Sequence, residues 1–575
     1  MIRDARKAGL PAEINADVAI VGAGAAGIVL ALELADAGMK VVVTEAGGDK
    51  FSQASQEFYR AQSIDPEGHG QVDMFRRRNL GGSTAAWGGR CIPFDPIDFE
   101  DRPWLNKARW PIGHDDVAPH YARALEYLDA GVPEFEAAQA LPGEPADLAP
   151  GVRSRDVVLD RIERFSHPLD LGKGYRKRLQ SDPRITLLLH APVLCVLAEP
   201  GGNAARGVRV ARTDQAAPLE ILAPTVVVAA GGLETVRILL HSNEERPCGL
   251  GNDNDLVGRF YQCHIEGEFG EIAFPKDARD VRMDYQRTAT GIYCRRYIWV
   301  SPEAQRKHRL AGLVLRPYHP NIVDPGHRSP ILSSMYLVKD HIVPEYARKL
   351  TSLEEIKRRE VGAGSLRFWA RHARNIALGG PSLARFTLDF ARRRTFAKRK
   401  LPSVVLTDPR GIYPLDINAE QEPNFDSRVT LGNELDRNGQ RRLRIEWRTT
   451  RADNERLVAG LQLVAHAFER SDGTRVKLTR EDLDRAMHWK VPVGGHHIGT
   501  ARMADSPSDG VCDANCEVFG TRGLYLAGAS VFSTSGFANP TLTLVALTLR
   551  LARTLIERGR PGLAKETVGV LEQAG

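Results

Sequence analysis

Residues 17–47 read DVAIVGAGAAGIVLALELADAGMKVVVTEAG. The apolar run Val18–Val21 predicts a strand. Gly22, Gly24 and Gly27 predict a tight turn into a helix carrying Ile28, Leu30, Leu32 and Leu34, which Gly38 ends. Val41–Thr44 predicts a second strand, running into Glu45. In this strand–turn–helix–strand setting the glycines let the backbone approach a pyrophosphate, and the helix N-terminus receives its charge. Glu45 stands where a carboxylate takes the ribose hydroxyls of an adenosine. The expected contacts are Gly22, Gly24, Ala25, Ala26, Gly27, Glu45 and Ala46. The motif alone does not separate FAD from NAD.

Working outward, Arg76–Cys91 reads RRRNLGGSTAAWGGRC. So little side chain around Trp87 implies a backbone pressed against a flat object, with Gly81, Gly82, Ser83, Trp87 and Gly88 as contacts. Ile185–Leu189 and Val193–Leu197 read as strands, and Val193 joins the cofactor candidates. Thr225–Ala230, TVVVAA, reads as a buried parallel strand running into Gly231-Gly232 and a helix. A third glycine-tipped strand, Gly523–Ala527, ends at Gly528-Ala529-Ser530. Three such returns to one ligand favour FAD over NAD. Ala230, Gly528, Ala529, Asn539 and Thr541 complete the expected cofactor set. A helix begins near Pro540 and aims its dipole at an electron-rich partner.

The chain has 575 residues, 42% of them hydrophobic and 26% charged, which predicts two or more domains. A net charge of +6 does not argue for nucleic acid. The N-terminal residues lack an apolar signal core, and no run approaches membrane-spanning length. Seven cysteines without a CxxC pair read as reduced structural thiols in a cytoplasmic protein, and no metal site is expected.

The blocks His496-x-x-Gly499-Thr500-x-Arg502-Met503, Gly523–Gly528 and Asn539-Pro540-Thr541-Leu542-Thr543 resemble the C-terminal signature of the glucose–methanol–choline (GMC) flavin oxidoreductases. The resemblance implies an α/β architecture with a Rossmann-like FAD-binding domain. A second, α+β substrate domain with a mostly antiparallel sheet follows, as in p-hydroxybenzoate hydroxylase. Residues 15–130, 185–265 and 505–560 would form the FAD domain and 266–504 the substrate domain, with 131–184 as a linker or loop region. His496 would be the base beside flavin N5 and Asn539 its partner. His264, His497, Gln421 and Asn424 are candidate substrate contacts. The hairpin of Arg428–Leu431 and Leu443–Trp447 would roof the substrate cavity. Some members attach flavin through a histidine just before a tryptophan; here Ala86 precedes Trp87, which implies non-covalent FAD. The motifs most resemble members acting on sugars, polyols and glycosides, with O₂ or a redox carrier as acceptor. A lyase-type relative, or a flavin subunit docking to an electron-transfer partner, are the other readings.

Residues 345–400 depart from the family pattern. Leu366, Trp369, Ala370 and Ala373 predict one apolar stripe, and Leu383, Phe386 and Phe390 another, on two basic amphipathic helices. These read either as packed helices with a solvated arginine face or as a dock for an anionic membrane or acidic partner.

Overall fold

The computed structural model describes all residues except 8, 66–67, 167–168, 213–216, 276–280, 343–356, 407, 409, 490–494 and 560–575. Residues 345–356 of the expected basic segment lie outside the described residues. A six-stranded sheet runs in the order Ile2–Asp4, Ile185–Leu189, Val41–Thr44, Val18–Val21, Thr225–Val228, Leu524–Leu526. All its pairings are parallel. Val18–Val21 and Val41–Thr44 are buried at every position, as a sheet covered on both faces requires. Helix Ala25–Asp36 packs against helix Thr541–Gly559, so the two ends of the described chain share one core.

A second six-stranded sheet is antiparallel throughout. Its order is Arg475–Lys477, Ile265–Ala273, Ile412–Ala419, Leu313–Pro317, Ile298–Val300, Val157–Val158. This mixed α/β architecture is the expected one.

Three features differ from expectation. Residues 131–184 are not simply a loop. Val157–Val158 joins the antiparallel sheet, and Ile162–Phe165 pairs with Tyr293–Arg296 and Arg90–Cys91. Charged residues disguised that strand. Glu163 is fully buried because Arg316 (2.8 Å) and Arg90 (3.1 Å) flank it. The hairpin Arg428–Leu435/Arg441–Glu446 forms as expected, with Leu431 opposite Leu443. It leans on helix Gly231–His241, and the strands beside His264 are Ile265–Ala273 and Ile412–Ala419 instead. The basic helices exist as Leu366–Leu378 and Gly380–Phe390. The first is rotated from its predicted orientation. Phe368 and His372 face inward, and Leu366, Trp369, Ala370 and Ala373 face solvent. The His372 ring is bonded to Ser333 Oγ (3.0 Å) and the Val323 carbonyl (3.3 Å), so polar anchoring decides which face is buried. The stripe of Leu383, Phe386 and Phe390 is half-buried.

Candidate active site

Strands ending at Val21, Val228 and Leu526 lie side by side, so Gly22, Ala229-Ala230 and Ala527-Gly528 come together at one carboxyl edge. Ala229 N–H donates to the Val21 carbonyl (2.8 Å) and Ala527 N–H to that of Val228 (3.0 Å). Ligands of open parallel sheets bind at such an edge.

The cradle fits a dinucleotide. A Cβ on Gly27 would lie 1.9 Å from the Gly22 carbonyl oxygen, so only glycine closes this turn. Helix Ala25–Asp36 has no side-chain cap and no acid in its first turn, leaving its N-terminal dipole for an anion. A Cβ on Gly82 would lie 3.0 Å from Gly24 Cα, which brings the second glycine segment against the first. Gly82–Ala85 is a 3-10 turn, with Ser83 and Gly88 exposed, and the Trp87 indole N–H is held by the Leu169 carbonyl (2.9 Å). Glu45 is buried at its strand end, accepting from Ala23 N–H (3.2 Å) and Gly47 N–H (2.8 Å). Burial pushes its carboxyl up, opposed by those two N–H groups. An ionised carboxylate has about four acceptor positions, so room remains for two hydroxyls. Ala191 N–H donates to the Glu45 carbonyl (2.9 Å), which brings Val193 close to the same corner. Ala46, Ala230 and Thr541 are half-buried, and Ala26 and Ala529 buried, around these turns.

His496 and Asn539 meet. Asn539 Nδ2 lies 3.0 Å from His496 Nε2, just ahead of helix Thr541–Gly559. The His496 segment is threaded between two partners. Ile498 bonds Gln262 in both directions (2.9 and 3.1 Å), and Gly499 and Ala501 N–H groups donate to the Ala529 and Ser530 carbonyls. That threading brings His264 behind His496, their Nδ1 atoms 2.9 Å apart. Glu266, two residues along the same strand, stands 3.6 Å from His496 Nδ1.

Of the other candidates, His264 stays at this contact, fully buried, and burial lowers its ring to about 4. His497 turns away from Asn539. Its Nδ1 is 2.7 Å from the Tyr261 hydroxyl, which also lies 2.7 Å from His69 Nε2 and 3.2 Å from Cys263 Sγ. Burial, with help from Arg76 and His69, holds His497 well below the usual histidine range. Gln421 is fully buried: its carbonyl accepts from Cys263 N–H (3.0 Å) and the Trp447 indole (2.8 Å), and its amide donates to the Arg448 carbonyl (2.8 Å). Asn424 also donates to the Arg448 carbonyl (3.2 Å). Both stitch the turn before Arg428. Glu266 was missed by sequence reasoning, although its spacing from His264 in a strand pattern is a usable signal. The Tyr261–His69 hub left no local signal.

Two family models match the chain. One, described as FAD dependent oxidoreductase, matches residues 17–249 and covers the first cradle and the Ala229–Gly232 turn. The other, described as GMC oxidoreductase, matches residues 423–548 and covers His496 and Asn539. Residues 423–548 thus belong to the GMC oxidoreductases. The protein is an FAD-dependent oxidoreductase. It is 23% identical over 584 aligned positions to paromamine 6'-oxidase of Streptomyces fradiae, covering 94% of this chain and 91% of that one. It is 26% identical over 306 residues to 2-methyl-1,2-propanediol dehydrogenase of Mycolicibacterium austroafricanum, covering 43% of this chain and 55%, about half, of that relative. With C-glycoside 3-oxidase of Arthrobacter globiformis it shares 30% identity over 155 residues, 26% of this chain and 28% of that one. Pyridoxine 4-oxidase from Mesorbium loti has the same fold, with a TM-score of 0.52 at 17% identity over 94% of this chain and 99% of that one. Among the described residues no helix is long and apolar enough to cross a membrane.

Proposed function

We propose that this FAD-dependent oxidoreductase oxidises a CH–OH group of a sugar, polyol or glycoside to a ketone or aldehyde, with His496 as base and Asn539 as its partner. The contact between Asn539 Nδ2 and His496 Nε2, at a helix N-terminus next to the FAD cradle, carries the reading. The names of the relatives above support the substrate class, and Ala86 before Trp87 supports non-covalent binding. Bound FAD supplies the hydride acceptor.

The chain supplies the proton acceptor, and its hydrogen bonds favour Nε2 of His496 for that role. His264 Nε2 is 3.2 Å from the Ser535 carbonyl, which can only accept, so Nε2 carries hydrogen. Burial keeps the His264 ring neutral, so its Nδ1 is a lone pair. His496 Nδ1, 2.9 Å away, therefore carries the hydrogen between them. The neutral His496 ring then presents its Nε2 lone pair beside the Asn539 amide. A substrate hydroxyl entering there donates to Nε2 and accepts from Asn539 Nδ2. The Glu266 carboxylate steadies the positive charge the ring acquires.

His264 is thus a positioning residue. His264→Phe removes the acceptor for His496 Nδ1–H, and we expect flavin reduction by substrate to slow by roughly tenfold or more. Losing that acceptor disfavours the protonated ring, so the acid limb of the pH–rate profile moves to lower pH. His264→Gln restores an acceptor and recovers part of both effects. Equal slowing in the two variants with an unmoved profile would leave His264 a packing role.

The whole proposal is tested by the visible spectrum of the purified protein, before and after anaerobic addition of a sugar, polyol and glycoside panel. A flavin band near ~450 nm that one compound bleaches is expected. Readmitted air then separates an O₂-reacting enzyme from one needing a carrier. A flavin that no CH–OH compound in the panel bleaches would sink the reading.

A further inference from the structure

Thirteen large hydrophobic side chains are exposed among the described residues, and the four most exposed share one short segment: Leu366 (88%), Phe396 (82%), Leu378 (76%) and Leu388 (74%). Single exposed leucines are ordinary; the four extremes within 31 residues are not. The same segment, 366–400, holds eight arginines and two lysines against the single carboxylate of Asp389. On helix Leu366–Leu378, Leu366, Ala370, Ala373 and Ala377 recur along one side, all exposed. Arg367 and Arg374 border that strip, and the buried Phe368 and His372 lie opposite. Phe368 belongs to a small core of its own with Val323, Leu332 and Tyr336. The helix is therefore anchored by one face while presenting aliphatic side chains and arginines together on the other.

We propose that the helix pair Leu366–Leu378 and Gly380–Phe390, with Phe396 just beyond it, is a peripheral docking surface for an anionic lipid bilayer. The chemistry selects that occupant. Arginines answer phosphate headgroups, and leucines and phenylalanine enter the region beneath them. A second copy of this chain would bring ten like charges against ten. A purely polyanionic partner would leave the aliphatic strip unused. The contact is peripheral, since neither helix can span a bilayer.

The test uses the full chain loaded with FAD and co-sedimentation with vesicles of phosphatidylglycerol and phosphatidylcholine, or of phosphatidylcholine alone. We expect at least roughly tenfold tighter binding to the anionic vesicles, weakened by salt. The variant Leu366→Ser/Leu388→Ser/Phe396→Ser loses roughly tenfold or more of that binding, as does Arg367→Glu/Arg371→Glu/Arg374→Glu. Both keep their flavin content and melting temperature, because the replaced side chains are exposed. A Trp369 emission shift with anionic vesicles, absent in Trp369→Phe, places the first helix at the interface. Wild-type protein that stays in the supernatant overturns the proposal. So does a serine variant that binds like wild type while the glutamate variant does not, since that result assigns the surface to an acidic macromolecule. None of these readouts requires turnover, so they stand apart from the proposed chemistry.

Discussion

His496→Ala keeps its FAD but reduces it with an alcohol substrate at least about two orders of magnitude more slowly, the lower end of what a positioned general base contributes. The cradle keeps its own contacts, because Gly22, Gly27, Gly82 and Glu45 belong to other segments of the chain. What disappears is the Nε2 lone pair that His264 and Ser535 hold in place. Stopped-flow bleaching of the flavin band reads the step directly. The control is His497→Ala, whose side chain is bonded to Tyr261 and takes no part in the His496–Asn539 contact. It should lose thermal stability more than rate. Near-wild-type reduction in His496→Ala, with His497→Ala inactive, would move the base to His497 and discard the proton inventory.

Arg102→Met is expected to be among the most destabilising single changes. Arg102 and Glu420 are both fully buried and form a two-pronged pair at 2.7 and 2.6 Å. Burial pushes the Glu420 carboxyl up, but the guanidinium together with the Gly312 and Gly536 N–H groups pulls it below the usual range. Removing one partner strands a charge in the interior, at a cost of about 3–5 kcal/mol. The pair also holds the Ser535–Gly536 turn against the end of strand Ile412–Ala419, and Ser535 is where the His264 chain begins. Arg102→Met should therefore melt earlier and release flavin more readily. Adding Glu420→Gln removes the stranded charge and keeps an acceptor, so the double variant should recover much of the loss. A single variant within about 1 kcal/mol of wild type would show that the charge finds another partner.

The core of the parallel sheet was readable in the sequence because Val18–Val21, Thr225–Val228 and Leu524–Leu526 are short, largely apolar runs with glycines just beyond them. Ile162–Phe165 was unreadable for the opposite reason. Its Glu163 and Arg164 are buried in ion pairs whose partners lie far away in sequence, which defeats any local rule. Helix Leu366–Leu378 shows a further limit: periodicity located the stripe correctly, yet hydrophobicity chose the wrong side to bury. Of the site, His496 and Asn539 were legible through motif. The roles of His264 and Glu266 depend on a strand crossing behind a loop, which only the folded chain displays.

The strand order has a consequence for how the protein is made. Leu524–Leu526 completes one edge of a sheet whose inner strands Val18–Val21 and Val41–Thr44 leave the ribosome about 480 residues earlier. At about 5–20 residues per second, the N-terminal βαβ unit waits roughly 25–100 s for its last strand and for helix Thr541–Gly559. Throughout that interval Ala25–Asp36 lacks helix Thr541–Gly559, and from the moment Thr225–Val228 emerges it forms an open sheet edge. Emergence of Leu524–Leu526, and not that of the glycine motif, sets the earliest moment of cofactor loading. A nascent chain stalled before residue 520 should bind chaperone in place of FAD.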